Sequence, residues 1–158
     1  MWGSCERISP EAPVQVVNVA KESQVLGGAG NVINNLKELG ARVDVISVIG
    51  NCETSNELKE LLAEIGVDTK YLITQKNRTT SKKSRIMASQ QQVVRYDSES
   101  TDDIDAKSQT QIINIFKKII KWIESKVCIF FIEKSSSTFK SSICCCLWSI
   151  YIFFHTNK

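Results

Sequence analysis

Two adjacent glycines, Gly27 and Gly28, lie directly before a short amphipathic segment in the stretch LGGAGNVINNLKELG. Glycine lets a ligand approach the backbone closely, and the free amide groups at the start of a helix favour anionic or hydroxylated ligands. Asn31 adds a side chain that can both donate and accept hydrogen bonds. These residues predict a site for a polar ligand. The alternative is purely structural: a tight turn that leads into a helix, with Asn31 as the N-cap.

The spacing of the glycines excludes two common phosphate-binding motifs. Gly28 and Gly30 match the first two glycines of a dinucleotide fingerprint, but Ile33 takes the third position, where a small residue is needed. A Walker loop is excluded because no G-K-[ST] follows the glycines. A ligand site here must therefore be of another kind.

Other clusters of reactive or charged residues predict no chemistry. The basic run KNRTTSKKSR, residues 76–85, lacks interleaved aromatic residues for stacking on bases, so we interpret it as a solvated loop. The acidic segment YDSESTDDID is interpreted as a solvated linker. Cys144, Cys145 and Cys146 are consecutive and lack the usual spacing of zinc ligands, so no metal site is expected. A net charge of +3 gives no reason to expect a nucleic acid or a membrane as partner.

Hydrophobic periodicity predicts alternating strands and helices that would hold these residues. Two extended pieces within residues 83–96 interrupt the alternation. The pattern predicts an α/β fold, in which helices cover a parallel sheet and a small β lid stands apart. The expected elements are strands at 14–20, 42–50, 70–74 and 127–132, and helices at 32–39, 54–66 and 109–125, the second capped by Thr54 and Glu57.

The composition changes sharply toward the end of the chain. All seven glycines lie at or before Gly66, and residues 127–158 carry four of the six cysteines. No helix or strand period is evident in residues 134–158, and their apolar run is too short to span a bilayer. We therefore expect residues 1–126 to form one domain and residues 127–158 to be an atypical tail that is not native to the fold. The start of the chain has no signal peptide, which favours reduced thiols in a cytosol.

Three motifs resemble one family of enzymes. GGAGNVINNLKELGARVDVISVIG is similar to the first signature of the ribokinase-like (PfkB) carbohydrate kinases, with Gly27, Gly28, Asn31, Gly40 and Gly50 at the signature's spacing. The segments ERISPEAPV and RIMASQQQVVRYD resemble the kinase domain of bifunctional heptose 7-phosphate kinase/heptose 1-phosphate adenylyltransferases. The resemblance covers residues 2–104.

The resemblance implies a partial ribokinase-like sheet with a lid over the sugar. It implies transfer of phosphate from ATP, with Mg²⁺, to the anomeric hydroxyl of D-glycero-β-D-manno-heptose 7-phosphate, in the bacterial cytoplasm, on the route to ADP-heptose and the lipopolysaccharide core. It also implies a homodimer formed through the lid strands. The 7-phosphate calls for arginine, although each arginine could instead be a solvated charge on a lid strand. The expected substrate-binding residues are Arg7, Gly27, Gly28, Asn31, Arg85, Gln91 and Arg95.

The sequence also departs from the family's pattern. The family's first strand, with its aspartate, would precede Met1. The catalytic aspartate lies in a GAGD-type loop, and this chain has no glycine after Gly66. We therefore expect no catalytic residue here, no ATP or Mg²⁺ bound by this chain, and no activity by this chain alone. The alternative function is a non-catalytic remnant that binds a sugar phosphate or pairs with an intact subunit. A frameshift near codon 127 is our hypothesis for the tail.

Overall fold

The computed structural model describes residues 1–121, 128–133 and 148–155. Strands and helices alternate along most of this length. In chain order the elements are β1 (Trp2–Ile8), β2 (Gln15–Lys21), α1 (Gly28–Glu38), β3 (Arg42–Ile49), α2 (Glu53–Glu64), β4 (Leu72–Thr74), β5 (Lys82–Ala88), β6 (Gln91–Ser98), α3 (Ala106–Lys121), β7 (Cys128–Glu133) and β8 (Trp148–His155).

The chain folds into two compact units. The first consists of Met1–Val25 and Ser81–Glu99, and the second of Leu26–Thr80 and Ser100–Lys158. The first unit contains only strands, and we call it the lid sheet. The second contains the three helices and a second sheet.

The lid sheet has the strand order β2-β1-β5-β6. Strand β1 is antiparallel to β2 and parallel to β5, whereas β5 and β6 form an antiparallel hairpin. The hairpin turns at Ser89 and Gln90, whose φ angles of 49° and 67° are left-handed, as a tight two-residue turn requires. The sequence predicts strands β2, β5 and β6 but no strand at residues 2–8.

The register of the strands gives the lid sheet two unlike faces, because paired residues point to the same side. One face is apolar, and its large members remain partly or largely exposed. The other face carries most of the charged residues of the sheet. The apolar face includes Ile8, Val17, Val19, Ile86, Val94 and Tyr96, and the charged face includes Arg7, Lys83, Arg85, Arg95 and Asp97.

The sheet of the second unit has the strand order β4-β3-β8-β7. Strands β3 and β4 are parallel, and β8 runs antiparallel to both of its neighbours, β3 and β7. Three of the four strands therefore run in one direction. The architecture is α/β, as expected, with one antiparallel strand that the sequence analysis did not anticipate.

The core of the second unit lies on both faces of β3. Val43 and Val45 point to one face and pack with Ile33 of α1 and Leu62 of α2, whereas Ile46 points to the other face and packs with residues of α3. Apolar residues on both sides are typical of a strand in a sheet covered on both faces. The apolar run at the end of β3 is thus explained by its central position.

Helix α2 begins earlier than the sequence predicts, so the capping box of Thr54 and Glu57 is wrong. The N-cap is Cys52, and its side chain makes no capping hydrogen bond. The first turn instead carries Glu53, whose negative charge is favourable at a helix N-terminus. The predicted end of α1 is confirmed, because Gly40 follows the helix with a left-handed φ of 79°.

Two strands lie in the part of the chain that was predicted to be an atypical tail. Strand β7 falls at the predicted strand 127–132, whereas β8 was not predicted and pairs its backbone with β3 from Arg42 to Ile46. The consecutive cysteines Cys144–Cys146 lie outside the described residues. The assignment of residues 127–158 as foreign to the fold, and the frameshift hypothesis, stay predictions.

Candidate functional site

The glycine pair lies at the start of α1, at one end of the sheet in the second unit. Helix α1 runs back along the sheet before β3 begins, with only Leu39–Ala41 between them. Its N-terminus is therefore at the end of the sheet where β3 and β4 finish, which is where α/β proteins usually bind ligands.

The structure gives no internal reason for glycine at positions 27 and 28. A Cβ atom built on either residue would have no heavy atom within 4 Å, and Gly27 has an ordinary φ of −73°. Neither a left-handed turn nor close packing therefore requires a glycine here. Gly30 differs, because a Cβ there would meet the side chain of Leu26. The open backbone of the pair favours the ligand-binding interpretation over the tight turn.

The first turn of α1 leaves amide groups available. Gly27, the N-cap, supplies no side-chain hydrogen bond, and the first turn contains no acidic residue. The first hydrogen bond inside the helix is donated by the Asn31 amide to the Gly27 carbonyl oxygen, at 2.9 Å. Asn31 therefore lies within the helix and is not its N-cap, so the structural alternative for this residue is wrong. Its side chain is exposed, one turn into the helix.

The lid sheet brings Arg85 and Arg95 together but places Arg7 apart from them. Arg85 and Arg95 are directly opposite each other on β5 and β6 and share the charged face. Arg7 is on the same face, but β1 pairs with β5 only at Trp2 and Gly3. The register offsets Arg7 from Arg85 by about 20 Å along the strands. One phosphate group can therefore contact the Arg85–Arg95 pair or Arg7, but not all three.

Gln91 lies next to the hairpin turn, opposite Ala88 and therefore on the apolar face. It does not share a face with the three arginines. The seven predicted substrate-binding residues thus fall into the start of α1, the arginine pair, and two isolated lid positions. Their role in binding stays a prediction.

A polar cluster that the sequence does not predict lies after β3. The Ser55 hydroxyl, only 2% exposed, donates to the Gly50 carbonyl oxygen at 2.6 Å and lies 2.7 Å from the Thr80 hydroxyl. The Gly50 amide donates to Thr80 Oγ1 at 2.8 Å. These contacts join the end of β3, the first turn of α2 and the segment after β4. Serine and threonine are ordinary residues in polar stretches, so only the fold identifies Ser55 and Thr80 as members of one cluster.

The thiol of Cys52 belongs to the same cluster, with Sγ 3.3 Å from Ser55 Oγ. Burial opposes ionisation of the thiol, but hydrogen bonds from the side chains and backbone of Ser55 and Thr80 outweigh this effect. Together they lower the pKa of Cys52 to about 7. The thiolate is the reactive form of cysteine.

We expect the alkylation rate of Cys52 by iodoacetamide to reach half its maximum near pH 7, because that is where the thiolate forms. Mass spectrometry of the peptide that contains Cys52 measures the rate separately from the other cysteines. In a Ser55→Ala variant, which lacks the hydroxyl that contacts Cys52 Sγ, the midpoint should move to higher pH. An unchanged midpoint would contradict the role of the Ser55 hydroxyl.

The basic run and the acidic linker, which were interpreted separately as solvated segments, contact each other. In the second unit, the Arg78 guanidinium donates to the Asp102 carbonyl oxygen at 2.9 Å, and the Thr79 amide donates to Ser100 Oγ. Further on, Asp105 Oδ1 accepts from the Ser108 amide at 2.6 Å and caps α3. The Ser108 contacts lower the pKa of Asp105. These groups therefore have structural partners.

Neither a metal cluster nor a membrane span is found where the structure is described. Residues 1–121, 128–133 and 148–155 contain no group of three or more histidine, cysteine or carboxylate side chains suited to a metal ion. Within the same ranges no helix is long and apolar enough to cross a membrane.

Comparison with known proteins identifies the family. The model of the pfkB family carbohydrate kinases matches residues 2–125. A curated relative from Aliarcobacter butzleri, named bifunctional protein HldE, is 66% identical over 121 residues, which are 77% of this chain and 25% of the relative. Relatives of the same name from Sulfurimonas denitrificans and Nitratiruptor sp. are 52% and 53% identical over 80% and 77% of this chain, and 27% and 26% of their own lengths.

The family match begins in β1 and extends beyond Lys121, where α3 ends, so it includes both the lid sheet and the glycine pair. The chain spans about a quarter of the length of the curated relatives it matches. The expected resemblance to ribokinase-like kinases and to heptose kinases is confirmed, and the α/β architecture agrees with it. This chain belongs to the pfkB family of carbohydrate kinases.

Proposed function

We propose that this chain carries the sugar-binding part of a heptose 7-phosphate kinase, in the bacterial cytoplasm, and that it binds the phosphorylated sugar without phosphorylating it. The observation that supports this most is the glycine pair Gly27–Gly28, which neither packing nor backbone conformation requires. The relatives named bifunctional protein HldE support a heptose as the sugar.

The proposed roles follow from the chemistry of a sugar phosphate. Hydroxyl groups need several donors and acceptors close to the backbone, and the amides of the first turn of α1 with the Asn31 side chain provide them. The phosphate needs cations, preferably guanidinium groups that donate two hydrogen bonds. The Arg85–Arg95 pair fits this role better than Arg7, which stands alone.

Catalysis would need groups that we do not assign to this chain. Kinases of the family use ATP and Mg²⁺. Phosphoryl transfer depends on positioning and on stabilisation of negative charge by amides and cations. Among the carboxylates in residues 97–105, Asp105 caps α3, and Asp97 and Glu99 form ion pairs with Lys83. We therefore assign neither ATP nor Mg²⁺ to this chain.

Calorimetric titration with heptose 7-phosphate tests the glycine pair. We expect Gly28→Val to abolish measurable binding, because its side chain would fill the open space where the sugar approaches. Asn31→Ala should weaken binding roughly tenfold through loss of one polar contact. The matched control is Asn35→Ala, an exposed asparagine one turn further along α1, which should bind as the parent does. Full binding by Gly28→Val would overturn the proposed site.

The same titration distinguishes the contribution of the phosphate to binding from that of the sugar. The parent should prefer heptose 7-phosphate over free heptose by roughly tenfold or more, because charge-assisted hydrogen bonds contribute about 1.5–3 kcal/mol. Arg85→Ala should remove most of this preference and leave binding of the free sugar unchanged. Equal affinity of the parent for both sugars would contradict the proposal that these arginines bind the phosphate.

A second candidate function is pairing of subunits through the lid sheet. The observation that favours it is the exposed apolar face, where Ile8 is 67% and Tyr96 47% exposed. Contiguous apolar surface on a sheet commonly marks an interaction site. Sedimentation equilibrium of the parent chain distinguishes a homodimer from a monomer, and a monomer at all accessible concentrations would contradict this candidate.

A further inference from the structure

Strand β4 forms one edge of the sheet in the second unit, and no described strand pairs with its outer side. The Gln75 amide, directly after β4, donates to the Ile49 carbonyl oxygen of β3 at 2.9 Å. Backbone groups of successive strand residues point alternately to the two sides, so Leu72 and Thr74 direct theirs outward. The Leu72 amide donates to the Thr69 carbonyl oxygen at 3.0 Å. The Leu72 carbonyl and both backbone groups of Thr74 are therefore directed to where a further strand would lie.

A groove of about 440 Å³ lies between β4 and α3. The helix contributes Gln111, Asn114, Ile115 and Lys118, whose spacing of three and four residues places them on one face. From Gln111 to Lys118 the helix rises about 10 Å, and the three residues of β4 also span about 10 Å. The groove therefore matches about three residues of an extended peptide in length.

The side chains that line the groove suit a peptide that carries negative charge. The amides of Gln111 and Asn114 can each donate and accept hydrogen bonds, as a peptide backbone does. Lys118 alone among the lining residues is charged, and no described carboxylate forms an ion pair with it. Helix α3 contains three further lysines and no acidic residue. The groove therefore favours an occupant of opposite charge.

We propose that the groove binds an extended acidic segment of another protein, which adds a strand to β4 and directs a carboxylate toward Lys118. A free small anion would leave the outward backbone groups of β4 without a partner, whereas an added strand pairs with them. A second copy of this groove is a poor partner, because its lining residues would bring lysine toward lysine without a carboxylate. The groove follows the side of the sheet, whereas the glycine pair lies at the ends of the strands.

Fluorescence anisotropy with a labelled peptide of sequence VEVEVEV tests the charge of the occupant. The alternation places all carboxylates on one face of the extended peptide. The parent chain should bind this peptide at least about tenfold more tightly than VKVKVKV. No binding of the acidic peptide, or equal binding of both peptides, would overturn the proposal.

Two N-methylated isomers of the acidic peptide test strand pairing separately from charge. One isomer is methylated at the valine amides and the other at the glutamate amides, so each has one edge blocked. Only one edge of the peptide can face β4, and therefore one isomer should lose binding while the other retains it. Equal affinity of the two isomers would show a site for carboxylates without an added strand, and would contradict the proposal.

Charge reversal on the protein locates the site. Lys118→Glu should weaken binding of VEVEVEV about tenfold and bind VKVKVKV more tightly than the parent does. The matched control is Lys117→Glu, an adjacent exposed lysine that does not line the groove, which should keep the affinity of the parent at physiological salt. Equal losses in both variants would indicate general attraction to a basic helix and would overturn the groove as the site.

Thr74→Pro tests the edge of β4 directly. Proline removes the outward amide and breaks no hydrogen bond to β3, so the sheet should persist, as circular dichroism would verify, while peptide binding is lost. Unchanged affinity in this variant would contradict strand addition, and if the variant fails to fold, the two isomers and Lys118→Glu still decide. Lys118→Glu should bind heptose 7-phosphate as the parent does, so failure of this proposal is distinguishable from failure of the sugar site.

Discussion

We expect a Gly50→Ala variant to lose about 3 kcal/mol of folding free energy, the upper part of the range for an overpacked site. A Cβ on Gly50 would collide with the carbonyl group of Arg78, which is backbone and cannot rotate away. Moving that segment also disturbs Thr80, whose hydroxyl accepts from the Gly50 amide and contacts the buried Ser55. Urea denaturation monitored by circular dichroism measures the loss.

The matched control is Gly28→Ala, the same substitution at a position where the new Cβ meets no atom within 4 Å. This variant should be as stable as the parent or slightly more stable, because alanine is favoured over glycine in a helix. If Gly50→Ala denatured at the same urea concentration as Gly28→Ala, the close contact with Arg78 would not be a constraint on the fold.

The purified chain, given ATP, Mg²⁺ and heptose 7-phosphate, should show no phosphorylation above the uncatalysed background. Enzymes accelerate such reactions by at least about 10⁶-fold, and that acceleration depends on a positioned base and on groups that stabilise the transferred phosphate. The chain has no glycine after Gly66 that could form an anion-binding loop beside a carboxylate. A coupled assay for ADP measures turnover.

The positive control is the full-length relative from Aliarcobacter butzleri, bifunctional protein HldE, assayed under the same conditions. Turnover by the present chain that disappeared on Asp103→Asn would contradict the proposal. It would mean that the segment of residues 97–105, to which we assign no catalytic role, holds the catalytic base.

Local sequence patterns were sufficient for most of the fold. The apolar spacing of α1 and α2, the β-rich run of β3 and the apolar face of α3 each belong to one continuous segment, and periodicity reports directly on such segments. Strand β1 escaped detection because its residues are mixed in polarity, and it is held as a strand by pairing on both sides. Strand β8 was missed for another reason, because its nearly continuous apolar run shows no strand period, and its assignment rests on pairing with β3 and β7.

By itself, the sequence determined the family and the residue types at the candidate site, because glycine, asparagine and arginine at a fixed spacing carry that information without coordinates. Only the tertiary structure decided that Gly27 and Gly28 are free of packing, and that Arg85 stands beside Arg95 while Arg7 is offset from both. It alone joined Gly50, Ser55 and Thr80 into one hydrogen-bonded cluster. The physical reason is that strand register and the connections between strands bring together residues that are distant in sequence. No local pattern encodes which of these residues meet.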